Sequence, residues 1–276
     1  MIYRTILNHV ILLFGVFIML SPILLIFFSS SQSTSDLRTS GMQFEFGNHL
    51  VQNYDSVLNF ESGFTDEITP MGMLSNSLII AIGVGVLTTL LSFFTAYSIV
   101  FFKYKSANII FWLVLSTLLF PLEARFIPTF QIASYLGLIN THLGIILPVI
   151  AAALGTFFFR QYFLSLPEEL LEAALLDGAG SFKFALDILI PLSLSRAAAI
   201  FIIAFMIGWN QYLWPIMIST DDTLYTLVRG IRFMWQGSGT SMAFTIITIT
   251  PPFILVLIFQ RWFFSGLGVE NKLSQK

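Results

Sequence analysis

The chain contains no cysteine, which excludes a disulfide framework, thiol catalysis and Cys-ligated zinc or iron–sulfur centres. Charge is nearly as scarce. Thirteen Lys+Arg and fifteen Asp+Glu make up 10% of 276 residues, against roughly a quarter in a soluble domain. That is too little to solvate a water-exposed surface, so a soluble enzyme, a disordered protein and a nucleic-acid binder are all excluded. The net charge of -2 offers no basic patch either. No Gly-x-x-x-x-Gly-Lys-Ser/Thr occurs, nor any Gly-Lys pair, so no loop can cradle a nucleotide phosphate, and any ATP must be hydrolysed by another polypeptide. The three histidines, His9, His49 and His142, lie far apart and form no ligand-spaced pair. We therefore expect no metal, no cofactor and no catalytic triad, and read His142 as a satisfied residue at the end of a span. What the chain does have is 56% hydrophobic residues, thirty of them Phe, and a mean hydropathy of +0.85.

An ionised side chain at the bilayer centre costs roughly 2.5–3.5 kcal/mol even on the lenient insertion scale, so the gaps between charges map the spans. Six gaps stand out: Thr5 to Ser35, Ile68 to Phe102, Ser106 to Leu122, Phe126 to Phe159, Ala197 to Thr220, and Phe233 to Gln260. Each can hold the roughly 17–25 apolar residues a crossing helix needs. Helices are expected near Ile6–Phe28, Met73–Phe101, Ala107–Pro121, His142–Phe163, Ile188–Met217 and Ser241–Phe264.

Orientation follows from the positive charges beside these spans. Arg4, Lys103, Lys105, Arg160, Lys183, Arg261, Lys272 and Lys276 fall on one side, and Arg38, Arg125, Arg229 and Arg232 on the other. The richer side is cytoplasmic, which puts both termini there. The expected organisation is an N-terminal transmembrane helix over 1–28, an extracytoplasmic loop over 29–70, a membrane core over 71–268 with a cytoplasmic loop at 164–187, and a cytoplasmic tail at 269–276. The loop over 29–70 is rich in Ser, Thr, Asn, Gln and acids and reads as solvated, with at most one short interfacial helix. A cleaved signal peptide is the alternative for the first span, because Ser29, Ser30 and Ser31 follow its apolar stretch. Cleavage would leave five spans and an outer N-terminus, against the charge count. Internal repeats, the mark of many secondary transporters, are not found.

One cytoplasmic segment has strong local structure, from Ser165 to Ser181. Ser165 and Glu168 have the spacing of a capping box, Pro167 suits a first turn, and Glu168 and Glu169 sit where the helix dipole favours negative charge. Leu170, Leu171, Ala174 and Leu175 recur at helical spacing. Asp177-Gly178 ends the helix, and Ser181 can cap a second one. The apolar stripe either packs under its own bundle or docks into a groove on a soluble partner.

Glu172-Ala173-Ala174, then Gly178, Ile188 and Ile190-Pro191 at their spacings, resembles the EAA motif of the permeases of ABC importers. Ile190 stands where that motif has Leu. The likeness runs from Asn76-Ser77 to Arg261 and is strongest to the carbohydrate-uptake branch, within it to permeases of glycerol-phosphate importers. It is carried by Phe120-Pro-Leu-Glu-Ala-Arg-Phe-Ile-Pro-Thr129, Phe159-Arg-Gln-Tyr162 and Gly208-Trp-Asn-Gln-Tyr-Leu-Trp-Pro215. The resemblance implies an all-α, polytopic inner-membrane protein with the six-helix, type I (MetI-like) permease fold. Its loop would be the helix that couples to the ATPase through Glu168, Glu169, Glu172, Ala173, Ala174, Asp177 and Gly178. It implies as partners a second permease subunit in a heterodimer, two copies of an ABC ATPase and an extracytoplasmic solute-binding protein. The implied solute is sn-glycerol 3-phosphate or a glycerophosphodiester, with a neutral sugar or oligosaccharide as the other possibility. The subunit itself would make and break no bonds.

Two groups of residues are candidates for the solute pathway. Trp209, Asn210, Gln211, Tyr212 and Trp214 lie toward the outer end of the fifth span. The aromatics could be an interfacial belt, but adjacent amides need partners away from water, and a polar cavity would supply them. Arg125, Arg229 and Arg232 lie on the outer side, and guanidinium forks suit a phosphate monoester. A partnership with Glu123 is the alternative for Arg125. For Arg229 and Arg232, three apart and on one face if helical, it is contact with headgroups or the binding protein. An ion-coupled carrier would need ionisable residues within the spans, where only Arg196 lies, with Asp187 at an edge.

Overall fold

A computed structural model describes residues 2–59, 68–102, 104–121, 123–150, 153–234 and 237–266. Lys103, Glu61, Asp66, Glu67, the tail at 269–276 and the side chain of Glu123 lie outside the described residues. Among the described residues all regular structure is helical.

The first helix, α1 (Ile2–Ser29), is about 42 Å long at 1.5 Å per residue, more than the roughly 30 Å of hydrocarbon, and its most apolar stretch is unburied throughout. Two short helices follow, α2 (Thr34–Ser40) and α3 (Leu50–Leu58), where one at most was expected. Ser33 begins α2 by accepting the amide of Asp36. The start of the stretch after α1 departs from the solvated loop its composition suggested, while residues 38–46 are exposed as expected. Ser29, Ser30, Ser31 and Gln32 are buried, and Asn53 of α3 donates to the carbonyls of Ser30 (2.8 Å) and Gln32 (2.9 Å). Those carbonyls lie just past the end of α1 and would otherwise be orphaned. At these few positions the polar residues serve backbone satisfaction rather than exposure.

The second expected span is one helix, α4 (Pro70–Phe101). The third is short: α5 (Ala107–Ser116) tightens into a 3-10 turn at Thr117–Leu119. An unexpected helix, α6 (Phe126–Tyr135), follows a 3-10 turn at Glu123–Arg125. The fourth expected span is bent by 50° between α7 (His142–Ile146), with the 3-10 turn Leu147–Val149, and α8 (Ala153–Leu164). Pro148 lies in that turn and lacks an amide hydrogen, although Leu147 before it keeps helical dihedrals (φ -57°, ψ -42°).

Beyond α9 (Glu169–Leu176), α10 (Ser181–Phe184) runs through a π turn at Ala185–Leu189 into α11 (Ile190–Trp209). The Ile190 amide reaches back five residues to the Ala185 carbonyl. Pro191 accounts for the widening: in an α-helix its ring would press on the carbonyl four residues earlier, at Asp187. The fifth expected span was drawn through to Met217, but its helix ends at Trp209. Asn210 caps it, donating from both its backbone and its side chain to the Met206 carbonyl (3.1 and 2.9 Å), and α12 (Leu213–Ile218) starts afresh. Another short helix, α13 (Leu227–Gly230), and a 3-10 turn at Ile231–Phe233 precede the last long helix, α14 (Gly239–Gly266).

Helices therefore stand at all six expected places. By length and composition four are long and apolar enough to cross alone, the bent pair makes a fifth, and Ala107–Leu119 is a shorter apolar helix.

The chain groups into two units, Met1–Leu74 with Tyr225–Pro251, and Ser75–Leu224 with Pro252–Lys276. In the first, Gly230 leaves room for Met73 and Phe244, and Gly239 for Gln32 and Asn53. The second has two cores. Phe93, Phe159, Phe163, Phe184 and Leu189 dominate one, with ring pairs such as Phe93–Phe159 and Phe93–Phe163 at 5.4 Å. Ile80, Val84, Ile145, Ile146, Trp214 and Ile218 dominate the other. Lipid leaves little hydrophobic drive between helices, so close backbone approach matters more. Gly155 lies against Ser92, where an added Cβ would force the Ser92 side chain to move, and Gly208 lies against Ala81 and Val84, where a Cβ would be a tight fit.

Candidate functional site

The loop after α8 begins differently from the expected capping box. The Ser165 hydroxyl turns back to the Tyr162 carbonyl at 2.7 Å, and α9 starts at Glu169 with no side-chain cap on Glu168. Its C-terminal end is as expected. Gly178 has φ +74°, its amide meets the Leu175 carbonyl at 3.0 Å, and the Ala179 amide meets that of Ala174 at 2.9 Å, the paired bonds of a Schellman motif. Gly180 precedes α10 in the cap position, and Ser181 is its first residue, with its carbonyl accepting from the Tyr97 hydroxyl of α4 at 2.8 Å.

The expected apolar stripe of α9 divides. Ala174 is 4% exposed and packs in the Phe93 core with Leu170 and Leu171 beside it, whereas Leu175 is 60% and Leu176 89% exposed. The stripe thus packs under its own bundle at Leu170, Leu171 and Ala174 and leaves Leu175 and Leu176 uncovered. Glu168, Glu169, Glu172, Ala173, Asp177 and Gly178 are exposed, while Ala174 faces inward. A cavity of about 200 Å³ lies beside the helix, walled by Phe101, Phe163, Leu171 and Phe184, with Glu168 and Glu172 at its margin.

At the far end of α11 the aromatic belt is not what the tryptophans form. Trp209 is buried and stacks on Phe205, centroids 5.8 Å apart at 18°. Trp214 is buried in α12, and its indole donates to the Gly144 carbonyl at 3.1 Å. Asn210 is engaged as the cap of α11, and Tyr212 is half-buried. Gln211, in the break, has both amide atoms buried with no hydrogen-bond partner among the described residues.

The arginines differ just as sharply. Arg229 lies over the Tyr225 ring at 3.6 Å, and that ring stacks on Phe233 at 5.2 Å. Arg232 is exposed in the 3-10 turn after α13, so the pair is not carried on one continuous helix. Arg196 places its guanidinium over Tyr162 at 3.6 Å, and Arg160 lies over Phe111 at 4.2 Å while reaching Asn108 at 3.3 Å. Arg125 shares a cavity of about 70 Å³ with Phe126, Thr129, Pro148, Val149 and Trp214, and its Nε is buried without a partner among the described residues. Arg125 and Trp214 are thus brought together; Arg229 and Arg232 belong to the first unit and Arg125 to the second.

Two polar clamps escaped sequence reasoning. Asn140, at φ +56°, accepts the amides of Thr220 (2.7 Å) and Asp221 (3.2 Å) on its side-chain oxygen. Asn76 of α4 donates to the Thr223 carbonyl at 2.7 Å, and its oxygen is 2.9 Å from His142 Nε2. The Thr223 hydroxyl and then its amide hydrogen-bond to the Asp221 carboxylate and hold its pKa below the ordinary value. His142 is accordingly a satisfied residue. An Asn before a Thr-His helix start was the available signal, but its partners lie some 80 residues away.

Comparison with known proteins places these features in context. The family described as "Binding-protein-dependent transport system inner membrane component" matches residues 81–269. The sn-glycerol-3-phosphate transport system permease protein UgpE of Yersinia pestis bv. Antiqua (strain Antiqua) is 42% identical over 271 residues, with 96% of each chain covered. The protein of the same name from Rhizobium meliloti (strain 1021) is 38% identical over 274 residues, again with 96% of each covered. Among solved structures, a chain of a bacterial ABC transporter involved in the import of the acidic polysaccharide alginate matches with a TM-score of 0.79 at 22% identity, covering 95% of this chain and 96% of that one. This last likeness speaks for the fold.

Proposed function

The chain belongs to the family of binding-protein-dependent transport system inner membrane components, and from that membership we propose that it forms half of the translocation pathway of an ATP-driven importer for sn-glycerol 3-phosphate or glycerophosphodiesters. It is a multi-pass inner-membrane transport component rather than an enzyme. The observation that carries the solute is near-full-length likeness, at 37–42% identity, to permeases named for glycerol 3-phosphate.

A second permease subunit completes the pathway as a heterodimer, two ATPase copies bind beneath, and a solute-binding protein delivers from outside. Both termini face the cytoplasm, which leaves α9 on the ATPase side. Exposed Leu175 and Leu176, with Glu168, Glu169, Glu172, Ala173, Asp177 and Gly178 around them, present a compact apolar and acidic surface to that subunit. Ala174, Leu170 and Leu171 tie the same helix to α4 and α8, so a movement imposed on α9 reaches the spans. The ATPase drives the cycle by binding the outward- and inward-open arrangements with different affinity. Of the outer candidates, Arg125, Gln211 and the walls provided by Trp214 and Tyr212 line the route, with Trp209 and Asn210 holding the break. Arg229 and Arg232 receive the binding protein.

The test is uptake by the whole importer in proteoliposomes. ATP and binding protein should drive accumulation of labelled glycerol 3-phosphate but not maltose, and should do so after the proton gradient is dissipated. Maltose uptake, or uptake that collapses with the gradient, would refute the reading.

A further inference from the structure

We propose that the cavity between the start of α6 and α12 is a phosphoryl subsite, with Arg125 as its cation and Thr129 as a hydroxyl donor; this rests on the solute reading above.

A guanidinium N–H withdrawn from water needs an acceptor, and leaving one unmet costs about 1–3 kcal/mol or more. Arg125 Nε is in that position, buried and facing no acceptor among the described residues. The contrast with the other arginines is informative. Arg160 also has a buried, unpartnered Nε, but its guanidinium rests on Phe111 and reaches Asn108; Arg196 rests on Tyr162, Arg229 on Tyr225, and Arg232 is exposed. Arg125 instead lines a partly open cavity.

The chemistry of that space suits a phosphate ester. Thr129 is four residues beyond Arg125, so their side chains share a face of the same helical stretch. Phe126, Pro148, Val149 and Trp214 form the remaining walls and bring no charge. Apolar walls lower the local dielectric and strengthen attraction between the guanidinium and a doubly charged phosphate. Trp214 contributes only surface, because its indole N–H is taken by the Gly144 carbonyl. At about 70 Å³ the cavity is of the order of a phosphoryl group and too small for a glycerol ester, so the organic part of the ligand must lie outside it.

A soluble ester and a lipid headgroup offer the same phosphate chemistry, so the experiment separates them. Wild type, Arg125→Met, Arg125→Lys and Thr129→Val are compared in the complete importer, in vesicles of neutral phosphatidylcholine and in vesicles containing anionic phosphatidylglycerol. Met keeps the apolar stem and removes the fork, and should lower glycerol 3-phosphate uptake about 10- to 100-fold in both lipids, as expected for a lost charge-assisted bond. Lys should restore part of that loss, and Val should lower uptake by a smaller factor, about 3- to 10-fold. The melting temperature of the solubilised complex should not fall in the Met variant, which no longer buries an unmet donor.

Unchanged uptake in Arg125→Met overturns the subsite. So does a loss accompanied by a lower melting temperature, which would make Arg125 structural, or a loss confined to anionic vesicles, which would assign the cavity to a lipid headgroup. A wild-type importer that takes up no phosphate ester overturns the solute reading and the subsite together; an active wild type with an indifferent Met variant overturns the subsite alone.

Discussion

Around the break in the fifth span, each polar side chain has a separate fate that residue type alone does not disclose. Trp214 finds the Gly144 carbonyl and Asn210 the Met206 carbonyl, but the Gln211 amide finds nothing among the described residues. A pair of orphaned amide atoms should cost stability. Such a residue persists where function needs it. Gln211→Leu keeps the approximate volume and removes both polar atoms. The purified complex should then melt at the same or a higher temperature, by an amount corresponding to about 1–2 kcal/mol. Solute uptake should fall about tenfold, the loss expected for one hydrogen bond to a hydroxyl of the solute. Thermal melts and initial uptake rates check this together, and full uptake in the Leu variant would leave the amide without a transport role. The presence of polar residues here was legible in the sequence. Which of them was unsatisfied was not, because Gly144 lies 70 residues from Trp214 in the chain.

At the scale of elements, the charge-free gaps located all six helical segments because insertion depends on composition, which needs no knowledge of packing. Their breaks were less legible. Proline is tolerated in membrane helices when neighbours satisfy the freed carbonyls, so Pro148 and Pro191 could not by themselves announce a bend and a π turn. In the loop after α8 the Gly178 corner was readable because its signal is local, whereas the capping box expected at Ser165 and the cap expected at Ser181 did not form. Gly178 must supply a positive φ, and the structure gives +74° there with open space where a side chain would stand. Among this chain's described residues a side chain at the corner meets nothing, and an Asn variant, which also adds a side chain, controls for contact with the ATPase so that the comparison with Val tests conformation. Gly178→Val should insert normally but lose most ATP-driven uptake, because a β-branched residue resists the left-handed region by about 1–2 kcal/mol or more. Gly178→Asn, which tolerates that region, should retain a large part. Paired measurements of uptake and ATPase rate distinguish the cases, and wild-type coupling in the Val variant would show that the corner is dispensable.

For the whole molecule, sidedness rests on an asymmetry of a few charges, eight Lys and Arg against four, and the absence of cysteine opens it to a direct test. A chain without cysteine needs no background removed before single reporters are introduced. Ser40, at the end of α2, and Ser106, just before α5, are both exposed and lie on opposite sides of the expected membrane. With both termini cytoplasmic, Ser40→Cys should react with a membrane-impermeant maleimide on intact spheroplasts, while Ser106→Cys should react only after permeabilisation. A tag placed before Met1 should remain on the mature chain, since α1 then acts as a span and not as a cleaved leader. The opposite labelling pattern would invert the topology and put α9 outside, where no ATPase could reach Leu175 and Leu176. Loss of the tag with unchanged labelling would keep the orientation of the core but remove α1 from it. The scarcity of charge thus yields a testable orientation, and the expected labelling pattern would put the proposed coupling surface and the proposed Arg125 subsite on opposite faces.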